Sequence, residues 1–215
     1  HYQQQSAKKL MLAGVTLRDP QRFDLRGQLT AEKDVIIDVN VILEGKNIIG
    51  ANSSIGPNTI LKNVKIGKAV EIKAYCLIED AVIDDNCVIG PFARIRPGTV
   101  LKNKVHIGNF VEVKNSQIEH ESKINHLSYI GDANIGKNVN IGAGTITCNY
   151  DGAVKHQTTI EDDVFVGSNT ALIAPIRVQK GATIGAGSTL NKDVPAGKLT
   201  LNRAETRTVA SWKRP

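Results

Sequence analysis

The chain has 215 residues, with 27 Lys and Arg against 21 Asp and Glu for a net charge of +6. Hydrophobic residues make up 41% but aromatic ones only 4%, beside 19 Gly, which excludes a mixed core built on Phe, Tyr and Trp. No run reaches the roughly 18 apolar residues of a membrane-spanning helix, and no charged-then-apolar leader precedes a small-residue cleavage site. Three Cys without framework spacing fit a reducing compartment, so a cytoplasmic protein is expected. A chain that opens on His1 rather than Met reads as a processed form or an excised piece.

Gln3 to Ala13 is compatible with a helix that stops near Gly14. Beyond it an aliphatic clock begins. Ile37, Leu43, Ile49, Ile55 and Leu61 recur every six residues, and after a slip to five the beat resumes at Ile66, Ile72 and Ile78. It continues through Ile83, Ile89, Ile95, Leu101, Ile107, Val113, Ile118, Ile124, Ile130, Ile135, Ile141 and Thr147. After a gap it returns at Ile160, Val166, Leu172, Val178, Ile184 and Leu190. Neither helical periodicity nor strand alternation produces that spacing. It predicts a hexapeptide solenoid, in which one unit forms one side of a triangular coil and coils stack through parallel strand hydrogen bonds. The slot four residues after an anchor also turns inward and holds small or β-branched residues such as Ser53, Thr59, Val70, Ala93, Ser128, Thr145 and Ala182. Aromatic side chains should not fit inside so narrow a prism. Residues 37 to 190 should form roughly eight or nine coils, a rod of about 40 Å. The expected domains are a linker helix remnant at 1–18, the solenoid at 19–190 and a basic tail at 191–215. Most of the net positive charge lies in that tail, with Lys192, Lys198, Arg203, Arg207, Lys213 and Arg214 against Asp193 and Glu205. It reads either as a solvated tail or as a phosphate-binding patch. Lacking aromatic interleaving and a helix-turn-helix pattern, the chain is not expected to bind nucleic acid.

Departures from the clock mark candidate chemistry. The interval from Thr147 to Ile160 exceeds one side, so part of residues 148–159 must protrude as a loop, a frequent seat of function. Treating the interval as one side keeps Ile107, Ile124, Ile141, Val166 and Ile184 stacked. His126, Ala143, Ser168 and Ala186, each two past an anchor, then climb one edge and leave a slot lined by small residues with a His at its end. Such a slot suits an extended, thin ligand. Arg96 and Lys114, each one past an anchor, stack on one outer flank as a candidate anion site. Tyr129 and Asn140 precede anchors, face outward, and are expected at different corners from Arg96 and Lys114. Cys76 and Cys87 occupy inward slots and read as packing. Cys148 opens the loop without an activating neighbour. His1 and His106 read as incidental, His156 lies in the loop, and His120 falls on a different side from His126. A zinc lyase of the γ-carbonic-anhydrase kind would need a third His at matching depth, which is missing.

The strings RIRPG at 94–98, HIGNFVEVK at 106–114, HLSYIGD at 126–132, NIGAGTITCNYDG at 140–152 and DVFVGSNT at 163–170 are far more specific than the clock. They resemble the acetyltransferase half of the bacterial bifunctional GlmU family, glucosamine-1-phosphate N-acetyltransferase/UDP-N-acetylglucosamine pyrophosphorylase. LMLAGVTLRDP at 10–20 resembles the stretch joining that family's two halves. The resemblance implies an all-β, left-handed parallel β-helix of hexapeptide repeats, a hand that the general rule for parallel crossovers would not supply. It implies acetyl transfer from acetyl-CoA to the amine of glucosamine 1-phosphate, on the route to UDP-N-acetylglucosamine for peptidoglycan and lipopolysaccharide. The uridylyltransferase half and its magnesium requirement would be absent, and no metal would be needed. By the same resemblance His126 is the general base, while Arg96, Lys114, Tyr129, Asn140 and Lys155 hold the sugar phosphate. Ala143, Asn149, Tyr150, Ser168, Ala186 and Arg203 contact acetyl-CoA, and a homotrimer places sites between parallel rods. The alternatives are a zinc lyase or a non-catalytic scaffold on the same solenoid.

Overall fold

The structure is a computed structural model describing residues 2–213. His1, and Arg214 of the basic tail, lie outside the described residues. A helix at Tyr2–Leu12 ends before Gly14, whose φ of 95° suits the left-handed residue that closes many helices. Every later strand is parallel to its neighbours, and successive coils stack with anchors in register, as Ile37 on Ile55 and Ile55 on Ile72. One face of the prism stacks eleven strands, from Thr16–Leu17 to Leu199–Thr200, and the other two faces merge into a seventeen-stranded sheet. They merge because Asp24–Ala31 and Ile42–Ile49 run on as eight-residue strands where later coils break at a corner.

The aliphatic anchors fill the prism. Ile78, Ile89, Ile95, Ile107, Ile124 and Ile130 are each 0% exposed, and burying such a side chain stabilises by about 1.5–3 kcal/mol. The small-residue slots are equally closed, with Ser53, Thr59, Val70, Ser128, Thr145 and Ala182 all buried. Buried hydroxyls there have backbone partners, for example Ser122 donating to the Gly136 carbonyl at 2.7 Å. One aromatic does enter. Phe23 is buried and shares a groove of 540 Å³ with Gln3, at the end of the prism that the helix covers. The ring fits there because a helix, and not another closely spaced coil, forms the adjacent layer.

The corners explain the slips in the clock. Where the beat drops to five, the residue two past the anchor turns the chain at positive φ: Asn63 at 54°, Asp80 at 43°, Asn115 at 45° and Asp132 at 48°. Asn and Asp tolerate that region better than other non-glycine residues. Their side chains form a ladder up the edge, with Asn63 Nδ2 donating to Asp80 Oδ1 at 3.0 Å and Asn115 Nδ2 to Asp132 Oδ1 at 2.6 Å.

The tail starts as part of the fold. Val194 is buried and bridges Val178, and Leu199–Thr200 pairs with Thr183–Ile184. Residues 201–213 carry no strand and are exposed.

Candidate functional site

Two neighbouring edges of the prism carry the candidate residues. The first lies between the eleven-stranded face and the strand series Glu112–Lys114, Tyr129–Gly131 and Ile146–Cys148. The register pairs Ile107 with Ile124, Ile124 with Ile141, Ile141 with Val166 and Val166 with Ile184. His126, Ala143, Ser168 and Ala186 therefore climb one edge, as the spacing predicts. Close stacking forces small residues here: a Cβ on Gly142 would lie 2.6 Å from the Ser168 nitrogen, and one on Gly167 2.4 Å from the Ala186 nitrogen. At the top, Arg203 Cδ lies 3.7 Å from where a Gly187 Cβ would stand. The Asn202 amide donates to Ser188 Oγ at 3.2 Å, and its side chain to the Thr189 carbonyl at 3.0 Å. The tail thus brings a guanidinium to the head of the slot.

His126 stands at the foot of the slot, exposed, with Nδ1 3.0 Å from Asn109 Oδ1. An amide oxygen can only accept, so in the neutral imidazole this contact places the proton on Nδ1 and leaves the Nε2 lone pair free. Asn109 was not picked out from the sequence. Its signal was available, since it sits two past Ile107, the His126 position one coil earlier. Below His126 the same edge changes character. Tyr75, Phe92 and Phe110 stack outside the prism with centroids 5.0 and 5.4 Å apart. Those rings and Leu127 above them are 46–62% exposed. Each of the four takes a φ between 50° and 61°, a region that bulky residues rarely occupy.

The second edge gathers charge. Arg96 Nη1 pairs with Glu112 Oε1 at 2.8 Å, and Lys114 Nζ lies 3.9 Å from Asp132 Oδ2. The Lys114 ammonium beside Lys155 pulls the Lys155 pKa down, and Asp132 partly offsets this. Burial works to raise the Asp132 pKa, but hydrogen bonds from Asn115 and Asn149 and the nearby Lys114 and Lys155 hold it below the usual carboxylate range. Glu112, acting foremost through its hydrogen bond, raises the Arg96 pKa. Tyr129 belongs here too. Its hydroxyl would lie 2.4 Å from a Cβ on Gly131, with Asn149 Nδ2 at 2.8 Å. The expectation that Tyr129 lies at a different corner from Lys114 is therefore corrected. The two residues lie on strands paired in one face, Lys114 opposite Gly131, and the tyrosine ring leans along that face toward the second edge.

Asn140 stays apart, on the eleven-stranded face between Lys123 and Phe165. The protruding loop leaves after Ile146–Cys148 and returns at Thr158–Ile160. It carries Asn149, Tyr150 and Lys155 on the second edge. One side of the prism, roughly 15 Å at the strand rise, thus separates His126 and the slot from the cation cluster. Asp132, missed in the sequence, sits two past Ile130 as Asn149 sits two past Thr147. Cys76 and Cys87 are buried as expected, and desolvation pushes the Cys87 thiol up to about 12. Burial also raises the Cys148 thiol pKa, the opposite of an activated nucleophile. His106 is held below its ordinary value, by burial first and then by Lys73 and Lys123.

Stacked hexapeptides with one loop and a small-residue edge define a hexapeptide-repeat β-solenoid. The family model for the GMPPB C-terminal domain matches residues 25–118, and that for the hexapeptide repeat of succinyl-transferase matches residues 157–192. The chain is 53% identical over 214 residues to the bifunctional protein GlmU of Bordetella petrii, covering 100% of this chain and 47% of that protein. It is 56% identical over 214 residues to GlmU of Ralstonia pickettii, with the same coverage of 100% and 47%. The similarity to these GlmU proteins runs along the whole of this chain, which spans about half the length of the curated relatives it matches. A solved UDP-N-acetylglucosamine acyltransferase from Francisella novicida shares the fold, with a TM-score of 0.54 at 20% identity over 86% of this chain and 66% of that one.

Proposed function

We propose that the protein transfers acetyl from acetyl-CoA to the amine of glucosamine 1-phosphate, giving N-acetylglucosamine 1-phosphate. The observation that carries this reading is His126, its Nδ1 occupied by Asn109 and its Nε2 free, at the foot of an edge of small residues. Nε2 takes a proton from the amine as nitrogen attacks the thioester carbonyl. The tetrahedral oxyanion then collapses, the carbon–sulfur bond breaks, and coenzyme A leaves as a thiolate that needs no strong acid. A backbone N–H near Tyr150 is our candidate for holding the oxyanion.

Arg96, Lys114 and Lys155 suit a phosphate dianion, the guanidinium as a fork and the ammonium groups as point charges. Tyr129 and Asn140 are assigned to the same sugar phosphate. Ala143, Ser168 and Ala186 are assigned to the pantetheine arm, Arg203 at the head of the slot to the nucleotide phosphates, and Asn149 and Tyr150 to the remaining contacts. Acetyl-CoA is a co-substrate, and no resident metal is assigned. The substrates place the reaction in the cytoplasm. Among the described residues no helix is long and apolar enough to cross a membrane.

Base and cation cluster lie on different edges, so we assign a homotrimer in which one protomer's first edge faces a neighbour's second edge. The exposed Tyr75, Phe92 and Phe110 ridge continues downward from the His126 slot and supports that edge as the contact. The reading is tested by thiol release from acetyl-CoA with glucosamine 1-phosphate, against glucosamine 6-phosphate as control. His126→Ala is expected to lower turnover at least about a hundredfold while the assembly persists. Unchanged turnover removes His126 as the base, and an inactive parent favours a scaffold.

A further inference from the structure

The protruding loop is braced by a cluster that none of the assigned contacts uses. Asp151 Oδ1 accepts from the Ala153 and Val154 amides at 2.8 Å each, and its Oδ2 lies 2.7 Å from His156 Nε2. The His156 amide donates to the Asn149 carbonyl at 2.8 Å. Tyr150 and Lys155 form an antiparallel bridge, while the Tyr150 hydroxyl donates to the Gly152 carbonyl at 2.6 Å. Gly152 sits at a φ of 100° with nothing within 4 Å of a Cβ. The loop is thus a miniature hairpin that touches the solenoid chiefly at its neck, where Asn149 Nδ2 donates to Asp132 Oδ2.

A hairpin this short has no core to hold it, and its tip residues Tyr150 and Val154 are 61% and 55% exposed. Its one long cation, Lys155, stands beside the like-charged Lys114, so repulsion favours swinging it away. Asp132 offsets that tendency only in part, and the rest falls to the residues flanking Lys155. We infer that Asp151 and His156 act as one positioning pair, a latch that closes the loop and holds Lys155 toward Lys114 for the sugar phosphate. The inference rests on the acetyltransferase reading for its substrate, though not for the latch itself. Asp151 is well placed to persist: the His156 hydrogen bond, followed by those from Val154 and Ala153, holds its carboxyl well below the usual range.

The test uses the full chain with Asp151→Asn, His156→Ala, the double variant, and His156→Gln, whose amide can still donate to Asp151. Two readouts are taken, steady-state kinetics and hydrogen exchange of the segment 149–157. Asp151→Asn and His156→Ala should each raise KM for glucosamine 1-phosphate on the order of tenfold, with much smaller changes in kcat, because a displaced loop loses a positioned contact. The double variant should be no worse than either single, and His156→Gln should recover most of the loss. Exchange in 149–157 should quicken in the same variants and return in His156→Gln. Faster exchange with unchanged KM in an active parent overturns the positioning role, as does an additive double variant. Unchanged exchange overturns the latch. If the parent transfers no acetyl group, the acetyltransferase reading fails, and exchange alone decides whether the latch exists.

Discussion

In the proposed reaction, His126 and Lys155 each depend on one neighbour. Asn109 determines which imidazole nitrogen is free, and Lys114 determines how long Lys155 stays charged. Because the Lys155 pKa is lowered, its ammonium loses its proton as pH rises through a value below that of an ordinary lysine. A phosphate held by that charge is released on the alkaline side. KM for the sugar phosphate should therefore climb as pH rises, beginning below the range in which an ordinary lysine loses its proton. Lys155→Arg should flatten the climb, since a guanidinium stays charged, and Lys155→Ala should show a high KM at every pH. A parent and Arg variant that rise in parallel would take Lys155 out of the phosphate site. His126, Arg96 and Lys114 were legible in the sequence because the six-residue beat assigns each a place on the prism. Asn109 and Asp132 obey the same beat, yet an uncharged amide and a turn aspartate raise no chemical signal by type. Only their contacts reveal them.

Within a coil, one position departs from the aliphatic rule. Thr147 is an anchor, 0% exposed, and its Oγ1 accepts from the Gly131 amide at 2.8 Å. The hydroxyl also donates to the Gly131 carbonyl at 3.1 Å. It ties the coil that launches the loop to the coil below. Thr147→Val keeps the shape but strands a buried amide, a loss of about 1–3 kcal/mol. Urea unfolding should register it as a lower midpoint, and a midpoint equal to the parent's would mean the amide finds another acceptor. The loop itself was legible as an interval too long for one side. Its internal hairpin was not, because the Asp151–His156 contact depends on a fold-back that no periodicity encodes. Tyr129 illustrates the same limit: spacing assigns its backbone to a face, whereas the direction of a long ring along that face depends on the glycine beside it.

Across the whole rod, the separation of base from cation cluster is the feature with the largest consequence. Under the proposed function, residues on two edges would have to serve one small sugar phosphate, so that reading calls for a second copy to complete the site. Phe92→Glu and Phe110→Glu put charge into the exposed ridge and should dissociate the assembly to monomers in sedimentation, with acetyl transfer falling at least about tenfold. Circular dichroism should remain that of the parent, since neither ring enters the core. An intact trimer with full activity would move the contact to another edge.

The sequence by itself determined the solenoid, its sides, the register across the loop and the contents of the slot. A repeat whose units are all alike has few ways to stack, and its period already encodes depth and face. The tertiary structure alone decided what lies between edges: the tautomer of His126, the convergence of Lys155 and Tyr129 on Lys114, and the brace within the loop. These depend on side-chain direction and on chain segments outside the beat, where distance along the sequence no longer measures distance in space.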